Sequence, residues 1–317
     1  MKSAPQVSIV IPLYNEEEVT PQLIERLIQL GDKVNFSLEF VMVNDGSTDN
    51  TAKLLSDNAK KDERFHCIFL SRNYGHQMAV TAGLKHARAT EAIMIIDGDL
   101  QDPPELISAF REKLQEGYDV VYAIRKNRKE SALRIFIYKL YYRIQNSVSN
   151  FNIPIDSGDF SMISRRVADH LNSMPEQSRY MRGLRSWVGF RQFGMEYERD
   201  ARAAGKSSYS IKKLLELGFN GIFNFSEFPV RFITRLGLTA IVTSLAYLIY
   251  TIIKRIVYGN VPEGFTALIV AITLFSGVQL ISLGLIGEYV LRIYNQVRNR
   301  PLFIVDKRIV EKEEVNG

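Results

Sequence analysis

Cysteine is nearly absent from this chain of 317 residues. The single cysteine, Cys67, cannot form a disulfide within the chain, and its apolar neighbours predict a buried thiol. A signal-peptide pattern is also missing, because the apolar run at residues 7–11 is short and is followed at once by Pro12 and acidic residues. We therefore expect the N-terminal part of the protein to be cytoplasmic.

Two common phosphate-binding motifs are missing as well. The chain contains neither Gly-x-Gly-x-x-Gly nor Gly-x-x-x-x-Gly-Lys-Ser/Thr. Their absence argues against dinucleotide-dependent dehydrogenases and against P-loop nucleotide hydrolases. Any bound phosphates would instead be held by a metal ion and by basic side chains.

Charge is absent from two stretches in the C-terminal third, residues 236–253 and 265–287. Apolar stretches of about 20 residues are membrane-spanning candidates, although two buried helices of a soluble domain are the alternative. The connector between the stretches contains no Lys or Arg over residues 258–264, whereas basic residues precede the first stretch and follow the second. This asymmetry predicts two spans with both termini in the cytoplasm, and Lys254 and Arg255 weaken it without reversing it.

The first half of the chain alternates apolar strand patterns with helical patterns. We predict strands at residues 7–11, 38–43, 66–70, 93–96 and 120–124, with helices between them. Alternation at this spacing indicates βαβ units and therefore a Rossmann-like, mainly parallel sheet.

An acidic turn follows the strand at residues 93–96. Asp97 and Asp99 flank Gly98, and Gln101 follows. Ligands of open α/β sheets bind at the carboxyl ends of the strands, and two carboxylates there suit a hard cation that also takes substrate phosphates as ligands. The alternative is an ordinary strand-to-helix turn.

Polar residues follow other predicted strands. Glu16 and Asp45 offer acceptors to a nucleobase or ribose, and Arg202 and Lys206 lie in a basic loop that could close over a pyrophosphate. Acidic residues return at another predicted strand end, where they serve either a substrate or a turn; these residues are Asp156 and Asp159.

Basic residues alternate with aromatic and aliphatic residues over positions 125–143. A membrane surface explains this segment better than nucleic acid, because the aromatic residues sit with aliphatic ones instead of forming a stacking array. A further amphipathic pattern precedes the first apolar stretch. The predicted organisation is a catalytic domain over 1–209, an interfacial helix over 210–230, two transmembrane helices within 231–291 and a cytoplasmic tail over 292–317.

Together these motifs resemble family 2 glycosyltransferases of the GT-A fold. The resemblance is specific to membrane polyprenyl-phosphate glycosyltransferases of the bactoprenol glucosyltransferase type, relatives of dolichyl-phosphate mannose synthase. It extends over nearly the whole chain. The matching segments are residues 7–17, 43–49, 72–77, 97–105 and 202–209.

The resemblance implies a role for each matching side chain. Nucleotide contacts would come from Pro12, Tyr14, Glu16 and Asp45, with Arg202 and Lys206 on the diphosphate. Asp97, Asp99 and Gln101 would form the metal and diphosphate site, for Mg²⁺ or Mn²⁺. Arg125 and Arg134 would meet the lipid phosphate, and Asp156 or Asp159 would orient the sugar or polarise the nucleophile, ranked below Asp99.

The implied reaction is inverting transfer of one sugar from a nucleotide-diphosphate sugar, UDP-glucose by resemblance, to undecaprenyl phosphate at a bacterial cell membrane. Residues 182–187 depart from the Gln-x-x-Arg-Trp signature of processive relatives, which favours a single transfer. The alternatives are a GDP-sugar transferase like dolichyl-phosphate mannose synthase and a non-catalytic nucleotide-binding membrane scaffold. The partners are the donor, the lipid acceptor and the bilayer, without nucleic acid, and a homo-oligomer stays open.

Overall fold

The computed structural model describes residues 4–126, 157–198, 228–258 and 264–316. These residues form two compact units. The first contains residues 4–126, 157–198 and 301–316, and the second contains residues 228–258 and 264–300. The predicted interfacial helix at 210–230 lies outside the described residues except for its last three positions.

A nine-stranded sheet is the centre of the first unit, as far as the described residues show. The strand order is β7-β5-β6-β4-β1-β2-β3-β8-β9. The four central strands β4, β1, β2 and β3 run parallel, which confirms the predicted α/β class, and antiparallel pairings flank them on both sides. The strands are β1 (Val7–Leu13), β2 (Leu38–Asn44), β3 (Phe65–Leu70), β4 (Ala92–Ile95), β5 (Val120–Lys126), β6 (Ser157–Ser164), β7 (Gln192–Glu198), β8 (Val305–Val310) and β9 (Glu313–Asn316).

Helices cover the sheet and bury side chains against it. In the first helix, Leu23, Leu27 and Leu30 are buried at helical spacing. In the third helix, Gly83 allows close packing, since a Cβ there would lie 2.2 Å from Cγ1 of Val10. The helices are α1 (Thr20–Lys33), α2 (Thr51–Ala59), α3 (His76–His86), α4 (Ile107–Gln115), α5 (Arg165–Ser173) and α6 (Met181–Trp187), with a 3₁₀ turn at Pro104–Leu106.

The end of the chain completes the sheet. Strand β8 pairs antiparallel with β3, and Ile309 lies opposite Cys67 with both side chains fully buried. Strand β9 pairs antiparallel with β8, and the two strands form a C-terminal hairpin. Arg88 joins this hairpin to the sheet, because its guanidinium contacts Glu39 at 2.6 Å and Glu311 at 2.8 Å. The sequence alone predicts only a tail over residues 292–317. The structure shows that this tail contains β8 and β9, two strands of the nine-stranded sheet.

The second unit consists of α7 (Phe228–Tyr258) and α8 (Phe265–Val297). Residues Phe232–Lys254 and Leu268–Val297 are long and apolar enough to cross a membrane. No part of either apolar window is buried within the described structure. That exposure disfavours the alternative of two core helices in a soluble domain.

Candidate active site

The acidic loop, residues 97–102, begins where β4 ends against β1. Asp97 is partly exposed and Asp99 is buried with 7% exposure. Gly98 between them is required by close approach, since a Cβ would lie 2.5 Å from Cδ2 of Leu13 and 3.2 Å from the Pro12 carbonyl oxygen. The glycine therefore lets both carboxylates lie at the carboxyl ends of the central parallel strands.

The turn of the acidic loop is strained and braced. Leu100 has a φ of 61°, a left-handed conformation that is uncommon for a bulky residue. Arg26 in α1 donates to the Leu100 carbonyl oxygen at 3.4 Å and binds Glu105 through two contacts of 2.8 Å. The backbone N–H of Gln101 donates to Oδ1 of Asp99 at 3.2 Å. These contacts hold the loop against α1 and the 3₁₀ turn.

Negative charge is concentrated around Asp97. Burial raises the pKa of Asp97, and the carboxylates of Asp102, Asp159 and Asp99 raise it further, while His76 opposes them. A divalent cation would relieve this repulsion, and carboxylate oxygens are the ligands that Mg²⁺ and Mn²⁺ accept. No group of three His, Cys, Asp or Glu side chains in the described ranges could hold a metal alone. Two carboxylates would therefore need further oxygen ligands, such as phosphate or water, to complete the coordination of a divalent cation.

Asp159 lies opposite the acidic loop, on β6. It is the third residue of that strand, near its beginning, so the alternative that Asp159 is a turn residue is wrong. Its Oδ1 accepts from Nε of Arg182 at 2.8 Å, and its Oδ2 lies 3.3 Å from Nε2 of His76. Burial opposes ionisation, but Arg182 and His76 hold the pKa of Asp159 well below its usual range.

His76 joins the two acidic positions. Its Nε2 lies 3.7 Å from Oδ1 of Asp97 as well as near Asp159. Although burial opposes protonation, these two carboxylates raise the pKa of His76 to about 9. His76, Gln77 and Arg182 are site residues that sequence reasoning missed. The available signal was the position of the first two in the matching segment 72–77.

Asp45 is buried at the end of β2, beside the predicted nucleotide-binding residues. Its two oxygens accept from the backbone N–H groups of Tyr74 at 2.7 Å and Gly75 at 2.9 Å. Burial raises the pKa of Asp45, and these two donors act against that rise. Asp45 thus holds the loop before α3, and its remaining lone pairs can still accept from a base.

The other predicted nucleotide contacts lie at the end of β1. Pro12 is in the strand, and Tyr14 follows it with a side chain that is 46% exposed. The backbone N–H of Glu16 donates to Oγ1 of Thr51, so the turn after β1 is tied to α2. The structure brings these residues to the same edge as the acidic loop.

Arg125 is a cation at the end of β5, next to the acidic loop. A Cβ at Gly158 would lie 3.5 Å from its Nη2. Burial lowers the pKa of Arg125, but Tyr197 and Asp102 more than offset this, so the net shift is upward. The hydroxyl of Tyr197 donates to Oδ1 of Asp102 at 2.7 Å. The remaining predicted site residues, Arg134, Asp156, Arg202 and Lys206, lie outside the described residues.

The fold and site define an α/β enzyme of the glycosyltransferase class. Residues 8–171 match the family described as Glycosyl transferase family 2, and residues 228–293 match the GtrB C-terminal hairpin. The chain belongs to glycosyltransferase family 2.

Relatives resemble this chain over nearly its full length. It is 42% identical to the uncharacterized glycosyltransferase YkcC of Bacillus subtilis, over 95% of this chain and 94% of the relative. It is 38% identical to the SfII prophage-derived bactoprenol glucosyl transferase of Shigella flexneri, over 95% and 98%. Among solved structures, a mannosyltransferase of Pyrobaculum calidifontis in complex with GDP-Man and Mn²⁺ is 17% identical, over 94% and 88%, with a TM-score of 0.49.

Proposed function

We propose that this protein transfers one glucose from UDP-glucose to undecaprenyl phosphate and inverts the anomeric configuration. The observation that carries the proposal is the placement of the acidic loop and Arg125 side by side at the carboxyl edge of the sheet. Likeness to a bactoprenol glucosyl transferase over 98% of that relative supports the choice of substrates.

The donor half of the site is the carboxyl edge of β1, β2 and β4. Asp97 and Asp99 would hold Mg²⁺ or Mn²⁺ together with diphosphate oxygens, and Gln101 would support them. When bound, the ion neutralises charge on the leaving nucleotide. Pro12, Tyr14, Glu16 and Asp45 would contact the nucleoside, and Arg202 and Lys206 would contact its diphosphate.

The acceptor half follows from the charge of the lipid. A phosphate monoester is already anionic at neutral pH, since its second pKa is about 6. One of its oxygens attacks the anomeric carbon while the bond from that carbon to the diphosphate oxygen breaks. Arg125 and Arg134 would hold the acceptor phosphate and offset the repulsion between the two anionic substrates.

The membrane topology in this proposal rests on chain connectivity. Strand β8 pairs with β3, so the chain returns to the catalytic sheet after α8. If α7 crosses the membrane, α8 must cross it in the opposite direction. This agrees with the basic residues that precede α7 in sequence and follow the apolar part of α8. The catalytic unit and both termini would then be cytoplasmic, at a bacterial cell membrane.

A lipid-labelling assay tests the proposal. Purified protein in detergent is mixed with undecaprenyl phosphate, radiolabelled UDP- or GDP-sugars, and Mg²⁺ or Mn²⁺. We expect label from UDP-glucose to enter the organic phase, and a chelator to reduce this at least about 10²-fold, because metal ions supply several kcal/mol of charge stabilisation. Labelling from a GDP-sugar alone would favour the mannose-synthase alternative. Nucleotide binding without lipid labelling would favour the scaffold.

Replacing Arg125 with glutamine should raise the KM for undecaprenyl phosphate about 10-fold or more, with a small change in the KM for UDP-glucose. A hydrogen bond to a charged group contributes about 1.5–3 kcal/mol, and the change removes such a donor from the acceptor side. The matched control is Lys126→Gln, because Lys126 is the next residue and is largely exposed. Equal KM changes for both substrates would contradict the assignment.

A further inference from the structure

Asp159 has donors on both of its carboxylate oxygens. Arg182 donates from Nε to Oδ1 at 2.8 Å and from Nη2 to Oδ2 at 3.3 Å. Gln77 donates from Nε2 to Oδ2 at 3.3 Å, and Nε2 of His76 is at the same distance from that oxygen. The residue is only 8% exposed. Three side chains therefore share the acceptor capacity of one buried carboxylate.

The same contacts join three parts of the first unit. Gln77 also accepts the backbone N–H of Met181 through Oε1 at 2.8 Å, which ties the start of α3 to the start of α6. His76 reaches Asp97 in the acidic loop at 3.7 Å. Asp159 is thus the shared partner of α3 and α6, and through His76 it is linked to the acidic loop.

A carboxylate in this position is poorly placed to act as a general base. A base must have an oxygen within hydrogen-bond reach of the proton that it removes. Three of the four side-chain contacts of Asp159 crowd Oδ2, and Oδ1 accepts from Arg182. The proposed acceptor is a phosphate that is already ionised, so the reaction has no acceptor proton for Asp159 to remove. Arg182 and His76, by contrast, bring hydrogen-bond donors to the place where two anionic substrates must approach each other.

We propose that Asp159 is a positioning residue, which keeps Arg182 and His76 beside the acidic loop and takes no proton from the acceptor. This role rests on the proposed sugar transfer to a lipid phosphate. It assigns the direct effect on the reaction to Arg182 and His76.

A double-mutant cycle tests the role of Asp159. The variants are Asp159→Asn, Arg182→Gln and the double variant, and kcat and both KM values are measured for each. We expect each single change to lower kcat about 10²-fold, as loss of one preorganised donor does. The double variant should be no more than about threefold slower than the slower single variant, because residues that act as a unit are not additive. Multiplication of the two losses to about 10⁴-fold would overturn the proposal.

A second variant distinguishes the two roles by the direction in which kcat changes. It tests the proposal even if Asp159→Asn does not fold. Replacing Gln77 with methionine removes one donor from Asp159 and the acceptor of the Met181 backbone N–H, and it leaves every charge in place. The positioning role predicts a severalfold lower kcat, because Asp159 loses one of the contacts that fix its position. A general base that loses a donor becomes more basic, so an unchanged or higher kcat would overturn the proposal.

Two controls separate the possible failures. Asp169→Asn removes an exposed carboxylate paired with Arg165 on α5, and it should leave kcat and thermal stability unchanged. Wild-type transfer from UDP-glucose to undecaprenyl phosphate is measured first. No transfer by wild type would overturn the proposed function and this role with it, whereas multiplicative losses in an active enzyme would overturn this role alone.

Discussion

Replacing Asp99 with asparagine should lower the rate of sugar transfer at least about 10³-fold and leave the protein folded, since catalytic charge stabilisation is usually the largest single contribution. Asparagine has nearly the same shape, and its Oδ1 can still accept the backbone N–H of Gln101, which lies 3.2 Å from Asp99. It lacks the negative charge that a hard cation requires of its ligand. The substitution should therefore lower the transfer rate without lowering the stability of the fold.

The measurement is the initial transfer rate of Asp99→Asn at several Mn²⁺ and Mg²⁺ concentrations, with thermal denaturation of the same preparation. Asp32→Asn is the control, because Asp32 is an exposed carboxylate that also has a partner, Arg64 at 2.8 Å. We expect the control to keep the wild-type rate. A rate for Asp99→Asn within about 10-fold of wild type would remove Asp99 from the proposed metal site.

The acidic loop could be located from the sequence because a general rule connects strand order to ligand position. The apolar run before Asp97 predicts a buried parallel strand, and parallel strands bring their carboxyl ends to one edge. That edge collects Asp97, Asp99 and Asp45 without any knowledge of side-chain contacts.

The contacts of Asp159 with His76 and Arg182 could not be predicted in this way. Strand β6 runs antiparallel to β4, so Asp159 reaches the site near the beginning of its strand and not at a carboxyl end. Its partners His76 and Arg182 begin helices that are separated by about a hundred residues of chain, as the Met181 contact to Gln77 illustrates. No local pattern encodes such a pairing, because it depends on how α3 and α6 pack on the finished sheet.

The C-terminal hairpin of β8 and β9 could not be predicted from the sequence, for a different reason. Strand β8 has six residues, and Asp306, Lys307 and Arg308 occupy its centre. A short strand with three charged residues at its centre has little hydrophobic alternation of its own. Ile309 is the residue that gives it a buried face, and its partner β3 lies more than two hundred residues earlier.

Replacing Ile309 with aspartate should therefore unfold the catalytic unit or lower its melting temperature strongly. Ile309 is fully buried within the main hydrophobic cluster and lies opposite Cys67. An unpaired buried charge costs several kcal/mol, which is comparable with the total stability of about 5–15 kcal/mol of a typical protein. Thermal denaturation in detergent and the transfer assay would both report the loss.

Val315→Asp is the matched control, because Val315 lies in the same hairpin and is 44% exposed. It should melt within a few degrees of wild type, as surface substitutions usually change stability by less than about 0.5 kcal/mol. If Ile309→Asp also melted like wild type, β8 would not belong to the cooperative core. If it unfolds, residues that follow the two apolar helices are needed to fold the domain that precedes them. In a catalytic domain expressed without residues 301–316, β3 would then be an unpaired edge strand. We expect that domain to be inactive because its sheet is incomplete.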